Sequence, residues 1–207
     1  MTEIPRPAVS PLRATIIGGL LTAIASVSMA LYTPAMPALV AAFGTTLAMI
    51  KSSLTAYFAG FALAQLVCGP LSDAWGRRPI AFAFLALYTA AGVVASLAGT
   101  VEVLIAARLV QGIGAAVGVA ISRAVVRDLF TGQESAKVMN AIGIVLSVGP
   151  AISPTIGGLL SELLGWRAVF VAMTVFGAGA LAAVYFALPE TNRTPDPGLA
   201  RPGRVLA

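Results

Sequence analysis

The sequence predicts an all-α integral membrane protein, with six transmembrane helices arranged as an inverted 3+3 repeat. Three observations predict it. The chain of 207 residues is 58% hydrophobic and only 10% charged, with a mean hydropathy of +0.94. A soluble globular chain is nearer half apolar and about a quarter charged. Six stretches reach the roughly 20 residues that a helix needs to cross a bilayer. One loop pattern occurs twice, 89 residues apart, at places that six such helices would put on opposite faces of the membrane.

The spans are read at about residues 13–42, 50–71, 79–98, 103–126, 136–163 and 167–188. The first resembles a signal peptide, with a basic flank, an apolar core and small residues at Ser28 and Ala30. Its apolar run continues past that site for another turn or more, so it is read as a retained helix. No series of short segments alternates with period two, which argues against a porin-like barrel. The charges fix an orientation. With the N-terminus in the cytoplasm, the inner flanks carry Arg6, Arg13, Arg77, Arg78, Arg123, Arg127, Lys137, Arg193, Arg201 and Arg204. The outer flanks carry only Lys51 and Arg167. That asymmetry puts both termini inside. The closing stretch "PETNRTPDPGLARPGRVLA" is polar, Pro-rich and basic, and reads as a flexible tail or the start of a linker.

The repeated pattern is "GPLSDAWGRRP" at 69–79 and "GLLSELLGWR" at 158–167. Gly69, Leu71, Ser72, Gly76 and Arg78 match Gly158, Leu160, Ser161, Gly165 and Arg167, and Asp73 meets Glu162. The copies follow the second and fifth spans, an offset of three helices. Three is odd, so the second copy is inverted, as in many secondary transporters. The first copy holds more charge. Asp73 and Arg77 stand four apart, suited to an ion pair if the segment is helical. Asp128, in "RAVVRDLF", is a candidate partner for Arg77 and Arg78. Gly69, Asp73, Gly76, Arg77, Arg78 and Asp128 are therefore read as a latch that grips a helix end in one conformation. The plainer alternative is a solvated loop that merely obeys the charge rule.

Arg108 is the one ionisable side chain well inside a span. A charge there costs about 2.5–3.5 kcal/mol on insertion scales, so it faces a cavity or a partner, or else snorkels to the headgroups. Its spacing to Gln111, Ala115 and Ser122 puts a polar or small face on the fourth helix. Tyr32, before Pro34 and Pro37, marks a kinked outer half of the first helix. Tyr57, Phe61 and Gln65 recur every four residues on the second, as packing or as the lining of a cavity. Tyr32, Tyr57, Gln65, Arg108 and Gln111 are the candidate substrate or proton pathway. The fifth helix carries Gly149, Pro150, Pro154, Gly157 and Gly158, a composition for close and pliable packing at a gate. Cys68 is read as a small buried apolar residue.

The composition also sets exclusions. No histidine and a single cysteine rule out His-based triads, usual zinc sites and an intrachain disulfide. The net charge of +5 comes with no basic run or aromatic platform for nucleic acid. No enzyme activity, metal or cofactor is expected.

The motif at 69–79 resembles the loop signature G-x-L-small-D-x-x-G-R-R/K of the major facilitator superfamily, and every fixed position is present. "RLVQGIGAAVGVAISRAVVRD" resembles that family's fourth-helix motif, through Arg108, Gln111, Gly112 and Gly114. "GPAISPTIGG" resembles its antiporter motif in the fifth helix. With "LYTPAMPAL", the chain is similar to the drug:proton antiporters of the bicyclomycin and chloramphenicol efflux group.

The resemblance implies one six-helix half of a major-facilitator fold, with residues 1–12 as a cytoplasmic tail. The transmembrane domain would run over 13–188, with repeats at about 13–98 and 103–188, and 189–207 would begin a central linker. It implies efflux of small drug-like molecules by proton antiport across the plasma (inner) membrane. It also implies a role for Arg108 in proton coupling or substrate binding. The implied partners are a small-molecule substrate, the lipid bilayer, and a second six-helix half or a second copy. Two departures stand out. Ala30 occupies a position where the related efflux proteins carry an acid, and the chain is about half a transporter in length. A truncated remnant, or a six-helix membrane scaffold that does not transport, is the alternative expectation.

Overall fold

The computed structural model describes residues 9–192 together with 195 and 196. Among these residues it is all helical, and six helices are long and apolar enough to cross a membrane. Span 1 is Pro11–Phe43, span 2 Leu47–Trp75, span 3 Arg77–Ser96, span 4 Val101–Leu129, span 5 Gly132–Leu164 and span 6 Trp166–Ala187. Their bounds fall within a few residues of those read from hydropathy. Arg6, Arg193, Arg201 and Arg204, with most of both predicted tails, lie outside the described residues.

Local sequence explains the ends. Thr46 and Thr100 cap spans 2 and 4, each accepting with its hydroxyl from the backbone N–H three residues on, at 3.2 and 3.4 Å. The kink expected in span 1 is a 3-10 turn at Thr33–Ala35, where Pro34 supplies no N–H. Span 5 is continuous, as its apolar length predicts. Pro150 and Pro154 lie inside one unbroken helix. Ser153 donates its hydroxyl to the Gly149 carbonyl, one turn back in the same helix, at 2.6 Å.

The largest difference concerns the two motif loops, which are hardly loops at all. Span 2 continues to Trp75 and span 3 starts at Arg77, so one residue, Gly76, makes the turn. Likewise Gly165 alone separates spans 5 and 6. The two glycines share one conformation, φ 100° and ψ 154° at Gly76 against φ 84° and ψ 164° at Gly165. That region is essentially closed to residues with a Cβ. Asp73 and Arg77 therefore belong to different helices, and their ion pair crosses a break instead of running along one helix.

Spans 1 and 4 are the most buried and form the centre of the bundle. Span 1 lies against spans 4, 5 and 6, and span 4 against spans 2 and 3. Lipid tails are as apolar as the side chains, so helices in a bilayer associate through close fit more than through burial. Backbones touch at glycines. A Cβ on Gly112 would collide with the Tyr57 carbonyl, on Gly118 with the Leu21 carbonyl, and on Gly157 with the Leu31 carbonyl. Spans 2 and 5 are the least covered. Span 5 leaves Ile144, Val148, Ile152, Ile156 and Leu159 exposed along one side.

Candidate functional site

Two polar clusters stand out from the apolar bundle. The first surrounds Arg108, the largest fully buried side chain, with no exposed surface. One helical turn on, Gln111 accepts from its Nη1 at 2.7 Å through Oε1. The Met173 sulfur of span 6 lies 3.9 Å from the same nitrogen. The guanidinium sits over two tyrosine rings, 4.2 Å from the Tyr57 centroid and 4.7 Å from that of Tyr32. Desolvated contacts of this kind contribute about 2 kcal/mol each. Ser53 holds the Tyr32 hydroxyl at 2.5 Å, which fixes that ring from span 2. No carboxylate among the described residues pairs with Arg108. Its Nε and Nη2, and the Nε2 of Gln111, are buried without a protein acceptor.

A groove of about 220 Å³ opens beside this cluster. Thr22 and Met29 of span 1, Tyr57 and Phe61 of span 2, Val119 of span 4 and Leu146 of span 5 line it. Tyr57 both walls the groove and stacks on Arg108.

The second cluster lies on the side of the membrane where span 1 begins and span 6 ends. Arg77, almost fully buried, donates from Nε to Asp128 Oδ2 at 3.1 Å and from Nη1 to the Ser72 hydroxyl at 2.6 Å, and pairs with Asp73. The segment after span 6 closes over it. Glu190 accepts from the backbone N–H of Arg77 at 2.9 Å and of Arg78 at 3.1 Å. Those are two of the donors that a helix N-terminus leaves unsatisfied. Thr191 donates to Asp128 Oδ2 at 3.2 Å, and Asn192 donates to the Asp73 carbonyl at 2.8 Å.

A family profile described as the Major Facilitator Superfamily matches residues 18–207. The chain belongs to this superfamily. Among superfamily relatives, it is 37% identical over 170 residues to a chloramphenicol resistance protein of Pseudomonas aeruginosa, covering 82% of this chain and 41% of that one. It is 34% identical over 144 residues to a bicyclomycin resistance protein homolog of Haemophilus influenzae, covering 70% and 36%. It is 30% identical over 178 residues to multidrug resistance protein D of Escherichia coli, covering 86% and 45%. The chain thus spans less than half the length of these relatives. Its fold resembles that of the human organic anion transporter MFSD10, with a TM-score of 0.73 at 22% identity, over 98% of this chain and 52% of that one.

Within this superfamily fold, the residues singled out in the sequence fall into three groups. Tyr32, Tyr57, Arg108 and Gln111 come together, and Arg108 does not snorkel. Gln65 stays apart from them, two turns and roughly 12 Å along span 2 from Tyr57, with its own buried oxygen unpartnered. Asp73, Arg77 and Asp128 form one cluster. Arg78 turns away to the Tyr185 carbonyl at 2.7 Å, and Gly69 has open space at its Cβ position. Gly76 lies against the Glu190 carboxylate. In the fifth span, Gly157 meets span 1 backbone, Gly149 faces Val27 and Gly158 faces Pro34, each on span 1. Among the described residues, the second motif copy holds no ion pair. Arg167 stacks on Trp166 at 4.3 Å and donates to the Ala98 carbonyl at 3.4 Å. Glu190, Ser72 and Ser53 were not anticipated. The available signal for Glu190 is an acid just past the last span, in "PETN", within the stretch whose composition suggests a flexible tail or the start of a linker.

Proposed function

We propose that the chain provides the first six-helix half of an exporter of small drug-like molecules, in the plasma (inner) membrane with both termini cytoplasmic. The observation that carries this is the groove between spans 1, 2, 4 and 5, with Arg108 behind its Tyr57 wall. Relatives named for chloramphenicol, bicyclomycin and multidrug resistance support the substrate class. The exposed apolar faces of spans 2 and 5 flank the groove, and a second half or a second copy would cover them. Rocking of the halves about the groove would give alternating access.

The Asp73–Arg77–Asp128 cluster is the latch for one end state, and the Gly149–Gly158 stretch of span 5 the gate packing. The inverted repeat is part of the same proposal. Exchanging spans 1 and 4, and spans 2 and 5, turns the 1–5 contact into the 4–2 contact, and both are among the most extensive in the bundle. The matching turns at Gly76 and Gly165 agree with it. Proton antiport would use an acid of the latch or of the second half.

The test is accumulation of chloramphenicol and bicyclomycin in efflux-deficient bacteria. The chain is expressed alone and with the second half of the P. aeruginosa relative, beside Arg108→Ala at equal membrane level. Lower accumulation that the variant abolishes is expected. Unchanged accumulation in both arms, with the chain inserted, would favour a remnant or a scaffold.

A further inference from the structure

We infer that Arg108 is the receptor for a carboxylate, and that the substrates entering the groove are small organic anions with an apolar body. The inference rests on the transport reading above and names its substrate class. A guanidinium presents its N–H groups at the edges of a plane. Gln111 takes Nη1. The two nitrogens without a protein acceptor, Nε and Nη2, are neighbours on one edge. That edge is the fork that binds a carboxylate through two parallel hydrogen bonds. A halide would engage it as a point charge and gain nothing from the fork.

The surroundings select the same chemistry. Gln111 Nε2, a third buried nitrogen without a protein acceptor, is also a donor. The cluster is thus rich in donors and holds no anion of its own, and a buried cation without a counter-charge is held at high energy. The tyrosine rings, Met173 and the groove supply apolar and aromatic contact for the rest of the ligand. Access calls for displacement of Tyr57, which lines the groove and stacks on the guanidinium and whose hydroxyl donates to the Ala25 carbonyl at 3.4 Å.

The experiment measures binding instead of transport. Radiolabelled benzoate is titrated onto the purified chain in lipid nanodiscs, in a scintillation proximity format. Saturable binding is expected, displaced by unlabelled benzoate but not by equal concentrations of benzamide or chloride. Gln111→Glu is nearly isosteric and places a carboxylate against the guanidinium. It should weaken binding by about tenfold or more while the circular dichroism spectrum and elution volume stay unchanged. Arg108→Gln should do the same. Absence of saturable binding overturns the inference, as does equal displacement by benzamide or full binding by Gln111→Glu. Displacement by chloride at equal concentration would make this a halide site and overturn it too. Benzoate binding without any drug efflux would leave this site standing and remove the proposed drug substrates. Efflux without benzoate binding would do the reverse.

Discussion

Arg77 Nε donates to Asp128 Oδ2 at 3.1 Å, joining the start of span 3 to the end of span 4. Arg77 is 5% exposed. An arginine so placed is costly to leave unpaired, because the desolvation is already incurred when the partner is removed. Asp128→Asn should therefore destabilise the bundle by about 1–3 kcal/mol. Asp73→Asn should cost less, since the Asp73 side chain is 39% exposed against 19% for Asp128. Thermal unfolding in detergent gives the ranking, and an equal effect of the two substitutions would contradict it.

The same cluster makes a functional prediction. Asp73→Asn should insert normally and yet lower efflux in any assembly that transports, because it loosens one end state relative to the other. Full efflux by this variant, at matched membrane level, would remove the latch.

Glu190 satisfies the first two amides of span 3. Glu190→Gln keeps an acceptor but loses the charge at a helix N-terminus, and Glu190→Ala loses both. Losses of about 0.5 and 1–2 kcal/mol are expected, in line with capping residues elsewhere. Hydrogen exchange localises the effect. The amides of Arg77 and Arg78 should exchange faster in Glu190→Ala, with span 5 unchanged.

Glycines at backbone contacts should differ sharply from glycines elsewhere. Gly112→Ala and Gly157→Ala push a methyl group into carbonyls of spans 2 and 1, and each should cost about 1–3 kcal/mol or more through overpacking. Gly143, also in a span, has nothing within 4 Å of its Cβ position. Gly143→Ala should be neutral or slightly stabilising, through higher helix propensity. Melting temperatures of the three variants settle the point.

Gly76→Ala and Gly165→Ala test the two turns together. Each forces a Cβ into a conformation that costs about 1–3 kcal/mol. At Gly76 the methyl would also meet the Glu190 carboxylate, whereas Gly165 has open space. Gly76→Ala should therefore be the more damaging, and Glu190→Ala should recover part of the difference in a double-mutant cycle.

Much of this architecture was legible from local signals. Span number follows from apolar length, and Asp128 is legible as a partner for Arg77 because both fall at span ends on the same side. The Arg108–Gln111 bond follows from an i, i+3 spacing. Tyr32 and Tyr57 are grouped with Arg108 as a candidate pathway in the sequence, but their stacking on its guanidinium is not legible there. Tyr32 and Tyr57 come from two other spans, and nothing in a local pattern says which faces of uniformly apolar helices will meet. Gln65 was grouped with Tyr57 by the four-residue repeat, but eight residues of helix rise carry it away from the charge. The turns at Gly76 and Gly165 were read as loops because Gly, Ser and acids suggest loops. In fact one glycine turns the chain, and Glu190, far along the sequence, caps the new helix.

The docking of residues 190–192 onto the span 2–3 junction has a mechanical consequence. The chain does not leave the bundle from the tip of span 6 as a free rope. It is stitched first to Arg77, Arg78, Asp73 and Asp128, so three helix ends and the outgoing strand form one hub. Tension on whatever follows residue 192 is delivered to that hub before it reaches span 6. The most direct handle on the ion cluster is then a pull along the polypeptide itself.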